Sequence, residues 1–140
     1  MPFRVLASIA AAMLLLVSIP ACSQPSGEPL PEAAIRLNDS MAAVQLEHRL
    51  PLSMTFDDRM GVAQVAELPN PLEVESVESP TEYRAGDMAY WVAEQSIVVF
   101  LSDGHDLAAD GLVLVGHVTV GLAELAGCTH DCRVSLVDAP

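Results

Sequence analysis

Residues 111–125 read Gly-Leu-Val-Leu-Val-Gly-His-Val-Thr-Val-Gly-Leu-Ala-Glu-Leu, and they give the clearest indication of the fold. Its four consecutive apolar residues, Leu112–Val115, predict a strand that is buried on both faces. Glycine follows at Gly116, and Val120–Ala126 then predict a helix of one to two turns that ends at Gly127. A buried strand leading directly into a short helix places this segment at one end of a compact sheet.

On both sides of this segment, the sequence predicts mostly short strands. Two of them, Met88–Val92 and Ser96–Leu101, predict a hairpin because they are apolar and β-branched and lie three residues apart. The other predicted strands are Ala34–Leu37, Leu52–Phe56, Val62–Ala66 and Arg133–Val137, and the predicted loops are Pro69–Pro80 and Ser102–Asp110. A second helix is predicted from Asn38-Asp39-Ser40, whose side chains can cap it, to about Arg49. Its core face carries Ala43, Leu46 and Leu50. Many short strands with two brief helices predict a mainly β fold that closes into a barrel.

The first 21 residues are predicted to be an export signal. Arg4 precedes an apolar run from Val5 to Val17, and the small residues Ser18 and Ala21 close it. The run is too short to cross a membrane, which takes about 20 apolar residues. Ile19-Pro20-Ala21-Cys22 resembles a bacterial lipobox, in which the cysteine is lipidated and the signal is cut before it. The alternative is an ordinary secretory signal followed by an incidental cysteine.

Residues 22–32 are predicted to be a lipid-anchored linker, because they contain three prolines and almost no apolar side chains. One domain, residues 33–140, follows it. We expect this protein to lie in the cell envelope and to contact the membrane through its lipid. Ser23, rather than aspartate, after Cys22 favours the periplasmic face of the outer membrane, by resemblance to lipoproteins of Gram-negative bacteria.

The charge of the chain excludes nucleic acid as a partner. After removal of the signal, five arginines and no lysine face 19 acidic residues, which gives a net charge of −14. Phosphate backbones are bound by clustered lysine and arginine. The acidity is explained by solubility, and recognition of a basic partner is the alternative.

The order and spacing of several motifs resemble those of cyclophilins, and more closely those of a bacterial and archaeal group of small cyclophilin-like proteins. The motifs are the helix start at Asn38-Asp39, Leu-Pro-Leu-x-x-x-Phe at Leu50–Phe56, Tyr83-x-x-Gly86-Asp87-x-x-Tyr90, and the strand Gly111–Gly116. The resemblance covers about Ile35 to Val137. It implies an eight-stranded closed barrel with short helices over its ends.

The sequence departs from true cyclophilins in the isomerase motif, Arg-x-x-Pro-x-Phe-x-x-Gln, which is absent. Arg59-Met60 lies in roughly the corresponding region but within Asp57-Asp58-Arg59-Met60-Gly61, which predicts a turn. An arginine between acidic residues on a turn is expected to form a solvated ion pair, so we assign no catalytic residue. The resemblance also implies that the loop after Leu101, with Asp103, His105 and Asp106, borders a groove.

The candidate ligand cleft therefore consists of Arg59, Met60, Tyr90, Trp91 and His105. Tyr90 and Trp91 must point to opposite faces of their strand, so one is expected in the core and the other facing a groove. His105 is the histidine best placed to contact a ligand, and an exposed histidine without a role is the alternative. Such a cleft suits an extended peptide or a small molecule.

Cys128 and Cys132 remain after Cys22 is assigned to lipid, and in an oxidising compartment they are expected to form a disulfide. Free thiols are one alternative. Another is a metal site formed by Cys128, His130 and Cys132, although no fourth ligand is evident. We therefore predict no metal and no cofactor.

Hydrolase, metalloprotease and nucleotide-binding motifs are absent from the sequence. Three functions stay open. They are a non-catalytic module that binds a peptide or small ligand, which we favour, a weak peptidyl-prolyl isomerase that assists folding in the envelope, and a metal or redox site near the last turn.

Overall fold

The computed structural model describes residues 28–76, 80–105 and 111–140. The elements in chain order are β1 (Glu32–Leu37), α1 (Met41–Glu47), β2 (Leu52–Arg59), β3 (Ala63–Glu67), β4 (Glu82–Tyr83), β5 (Asp87–Trp91), β6 (Ser96–Phe100), β7 (Gly104–His105), β8 (Leu112–Val120), α2 (Leu122–Ala126) and β9 (Cys132–Asp138). None of the helices in these ranges is long and apolar enough to cross a membrane. The predicted signal and Cys22 lie outside the described residues.

Seven strands form a closed barrel in the order β1-β8-β5-β6-β3-β2-β9, and β9 closes it by pairing with β1. The predicted mainly β barrel with two helices is thereby confirmed, with seven strands in place of the expected eight. The two remaining strands, β4 and β7, pair with each other in a separate two-stranded sheet. At two residues each, they are too short to extend the barrel ladder.

Helix α1 begins where its capping residue predicts. The backbone N–H of Ala43 donates to the Ser40 hydroxyl at 3.2 Å, which satisfies one of the free donors of the first turn. Ala43 and Leu46 are fully buried, and Leu50 packs partly against the same core. The helix ends at Glu47, two residues before the expected end at Arg49. The predicted core face of this helix is therefore confirmed.

Strand β2 is longer than predicted, because Asp57, Asp58 and Arg59 pair with β3 instead of forming a turn. The turn follows them at residues 60–62. There Asp58 Oδ2 accepts the backbone N–H of Gly61 at 2.9 Å, so the carboxylate stabilises the turn from the strand end. The expected turn context of Arg59 is therefore wrong.

Strand β8 also runs past its predicted end and continues through Gly116 to Val120. A side chain at Gly116 would collide with the backbone carbonyl of Arg36 on β1, so glycine allows the close approach of these two strands. Gly121, at φ +95°, then turns the chain into α2. The helix begins at Leu122 and not at Val120, because Val120 is still paired with Ala34.

The barrel strands are apolar on both faces along β3, β5, β6 and β8. The inner face joins the two helices in the main core, which contains Met88, Tyr90, Ile97 and Val99. The outer face carries a second group, which we call the outer apolar cluster: Ala63, Val65, Ala89, Val98, Phe100 and Leu112. Because successive residues of a strand point to opposite faces, the two groups alternate along each strand. The outer apolar cluster is buried, so this part of the barrel wall is shielded from solvent.

Candidate functional site

The five residues predicted to share a cleft are distributed over different parts of the molecule. Tyr90 points into the barrel and is 1% exposed. Its hydroxyl accepts the backbone N–H of Leu72 at 3.2 Å. This side chain belongs to the core and secures the segment after β3, so it is not available to a ligand.

Arg59 and Met60 lie at the end of β2 and in the turn that follows. The Arg59 guanidinium forms an exposed salt bridge with Glu94, which lies in the turn between β5 and β6. The N–O distance is 3.3 Å. Met60 is 94% exposed, with a left-handed backbone at φ 57°. Neither residue forms a cleft together with Tyr90.

Trp91 and His105 also lie on the outside of the barrel. Trp91 alternates with Tyr90 as expected and packs, partly buried, against the outer apolar cluster. His105 is exposed on β7 and lines a surface cleft of about 620 Å³. Of the five residues predicted to form the ligand cleft, only His105 lines this one.

Strands β4 and β7, which pair with each other, form one side of the cleft. Glu82 is opposite His105, and Tyr83 is opposite Gly104. The Tyr83 ring stacks on Phe100 of the outer apolar cluster, with ring centroids 4.1 Å apart. The aromatic contact therefore fixes the small sheet against the barrel wall. The cleft is lined by Glu82, Tyr83, Arg84, Asp87, Asp103, Gly104 and His105.

Two of the lining carboxylates hold the backbone in place. Asp87 Oδ2 accepts the N–H of Arg84, and Asp103 Oδ1 accepts the N–H of Ala85, each at 2.8 Å. The other oxygen of Asp87 lies 3.3 Å from His117 Nδ1. These contacts give the segment between β4 and β5 a defined shape, and the Arg84 and His105 side chains border the cleft around it.

The sequence assigned Asp103, His105 and Asp106 to a groove, and Asp106 lies outside the described residues. Tyr83 and Arg84 were not selected. The signal was present in Tyr83-x-x-Gly86-Asp87, because glycine and aspartate at the end of such a stretch predict a turn that the aspartate can brace. The apolar position of Tyr83 before that turn then indicates a side chain packed on the sheet.

The structure joins Cys128 to Cys132 by a disulfide with a Cα–Cα distance of 5.9 Å. The sulfur atoms are therefore unavailable as thiolate ligands, and the Cys128–His130–Cys132 set loses two of its three donors. The His130 ring instead lies between two carboxylates, those of Asp57 and Asp131.

No curated protein matches the chain. The sequence model of the Cyclophilin-like family matches residues 31–137, from just before β1 to the penultimate residue of β9. This range includes the barrel, both helices and the cleft. On this match and on the closed barrel, the chain belongs to the cyclophilin-like family.

Proposed function

We propose that this protein is a non-catalytic binding module, lipid-anchored in the cell envelope, that holds a short peptide or small molecule in the cleft between Tyr83, Arg84 and His105. The proposal rests mainly on the stacking of Tyr83 on Phe100, because this contact places an aromatic ring beside the charged groups of the cleft. Sites for small ligands combine such apolar surface with a few polar anchors, in volumes of about 300–1,000 Å³.

The polar groups of the cleft favour a ligand that both donates and accepts hydrogen bonds. Arg84 supplies donors, while Glu82, Asp87 and Asp103 supply carboxylate acceptors. An extended peptide carries both kinds of group along its backbone. It can also place a side chain against the Tyr83 ring.

The surroundings of the candidate arginine do not support isomerase chemistry. A guanidinium stabilises a twisted prolyl amide only when it is preorganised beside the substrate. Arg59 is instead paired with Glu94. Glu94 lies in the turn that joins β5 to β6, whereas the cleft residues lie before β5, at its first residue and after β6.

The proposed anchor rests on the amino-terminal sequence. Nine residues, 23–31, separate Cys22 from β1. Fully extended, they span about 30 Å. A lipid on Cys22 would therefore keep the barrel near the membrane while leaving the cleft free to meet its ligand.

The single tryptophan makes the binding test direct. Trp91 packs against the outer apolar cluster, to which Tyr83 is also attached, so its emission is expected to respond to cleft occupancy. The full chain is titrated with a library of short peptides and metabolites. Each ligand found is then measured again with Arg84→Ala and His105→Ala.

We expect both substitutions to weaken binding by about tenfold, the effect of losing roughly 1.4 kcal/mol. Arg133→Ala and His48→Ala are matched controls, because both side chains are exposed and neither lines the cleft. Equal affinities in all four variants would contradict the assignment of this cleft.

A further inference from the structure

A second group of side chains with ligand chemistry lies away from the cleft, where β2 meets the turn before β9. His130 Nδ1 is 2.9 Å from Asp57 Oδ1, and His130 Nε2 is 2.9 Å from Asp131 Oδ2. One donor atom from each of the three residues lies within 4.8 Å of the others. Asp57 is half-buried, and the other two are exposed.

The fold holds these residues together by three separate means. The ladder pairs Phe56 with Cys132, which brings the chain before β9 alongside Asp57. The disulfide closes the turn that carries His130 and Asp131. The backbone N–H of Asp131 also donates to Asp57 Oδ1 at 2.9 Å. The donor set is therefore positioned by the ladder and the covalent bond as well as by its own contacts.

The group offers one donor atom of each residue to a cation. A protonated imidazole donates to both carboxylates, whereas a neutral imidazole has one N–H, so its second nitrogen presents a lone pair that a metal ion can accept. Within the described part of the chain, no arginine forms a salt bridge with Asp57 or Asp131. Two carboxylates and an imidazole nitrogen are together a donor set for a divalent ion.

We propose that Asp57, His130 and Asp131 bind one divalent transition-metal ion, represented by Zn²⁺, through one ring nitrogen and one oxygen of each carboxylate. Imidazole and carboxylate are both common zinc ligands, and water completes an exposed site. The histidine and the small number of oxygens disfavour Ca²⁺ and Mg²⁺, which take six or more oxygen ligands in most sites. This site is independent of the cleft, and the proposal does not rest on its function.

The experiment uses the full chain with Cys22→Ser and with the disulfide intact. Zn²⁺ is titrated in competition with a chromophoric chelator, and Co²⁺ is then bound in its place so that its absorption reports the ligand atoms. We expect one equivalent of Zn²⁺ and a Co²⁺ spectrum without the intense sulfur-to-metal bands of thiolate coordination.

Three conservative variants assign the ligands. Asp57→Asn keeps an acceptor for the Asp131 N–H, His130→Gln keeps a polar side chain, and Asp131→Asn suits the left-handed backbone at φ 49°. Each is expected to weaken Zn²⁺ binding by at least about tenfold. His117→Gln is the matched control, because it removes a histidine–carboxylate contact elsewhere in the described residues, and it is expected to leave the affinity unchanged.

Unchanged Trp91 emission in each variant verifies that the barrel is intact. Failure of the oxidised protein to bind stoichiometric Zn²⁺ would overturn the proposal, as would equal affinities in the ligand variants and controls. Binding that arises only after reduction, with sulfur-to-metal bands, would overturn it in favour of Cys128 and Cys132.

Discussion

The ring of Tyr83 stacks on the ring of Phe100, with planes 28° apart. Tyr83 belongs to the small β4–β7 sheet, and Phe100 ends a barrel strand. This contact therefore connects the cleft to the outer apolar cluster, and it makes the shape of the cleft sensitive to substitutions beneath the tyrosine ring.

Gly104→Ala is expected to displace Tyr83, because a Cβ at this position would overlap the tyrosine ring and hydroxyl. Forcing extra volume into a packed contact costs about 1–3 kcal/mol of unfolding free energy. Denaturant unfolding followed by circular dichroism measures the loss. Gly127→Ala is the control, since its Cβ would meet neighbouring atoms at an ordinary 3.6 Å. Equal stability of both variants would show that Tyr83 does not need this glycine.

Gln64→Leu is expected to destabilise the protein by about 1–3 kcal/mol, the cost of a buried group that loses its partner. Gln64 is fully buried, and its Nε2 donates to the Cys128 carbonyl at 2.9 Å. Among the described residues its Oε1 has no partner, so the substitution also removes an unpaired acceptor.

The control for this substitution is Gln45→Leu. Gln45 bonds to the backbone of Glu73, but both groups are exposed and water replaces the lost bonds. The loss of unfolding free energy in Gln45→Leu should be clearly smaller in the same measurement. A Gln64→Leu variant as stable as wild type would contradict the predicted loss.

Reduction of Cys128–Cys132 is expected to lower the unfolding free energy by about 2 kcal/mol, the chain-entropy value for so small a loop. Unfolding is measured with and without reductant, and alkylation followed by mass spectrometry counts the free thiols. Two alkylated cysteines in unreduced, metal-free protein would contradict the bond.

Cys22 is expected to be acylated, with residues 1–21 removed. Palmitate labelling and the mass of the protein from membranes test this. Cys22→Ser should abolish labelling and processing, because the thiol is the acceptor of the lipid. Export and labelling that persist in this variant would remove the support for a lipid anchor.

The full chain is expected to leave prolyl isomerisation at its uncatalysed rate, because the isomerase motif is absent and Arg59 lies in an exposed salt bridge with Glu94 instead of in a substrate pocket. The uncatalysed step takes tens to hundreds of seconds, so even modest catalysis is visible in a protease-coupled peptide assay. Acceleration that disappears in Arg59→Ala, with the fold retained, would make the protein an isomerase.

Local patterns predicted the elements well. Ser40 marks the start of α1 because a capping hydroxyl acts within three residues, and the Tyr90–Trp91 alternation follows from strand geometry. The same alternation explains why the predicted cleft was wrong for Tyr90, which is adjacent to Trp91 but on the other face.

Pairings between residues far apart in the sequence could not be predicted from local patterns. The β4–β7 pair has two residues in each strand, too few for a periodic pattern, yet it forms the cleft. The contact of His130 with Asp57 joins residues far apart in sequence, whereas the sequence alone presents His130 between two cysteines. Register between strands, rather than composition, determines both arrangements.

The position of β9 has a consequence for biosynthesis. It pairs with β1 in parallel and with β2 in antiparallel orientation, so it is the strand that closes the barrel. The ribosome makes β9 after every other strand. Until it emerges, β1 and β2 each lack a neighbour, and the fold cannot be completed. The barrel of a nascent chain of this design therefore stays open until β9 has been synthesised.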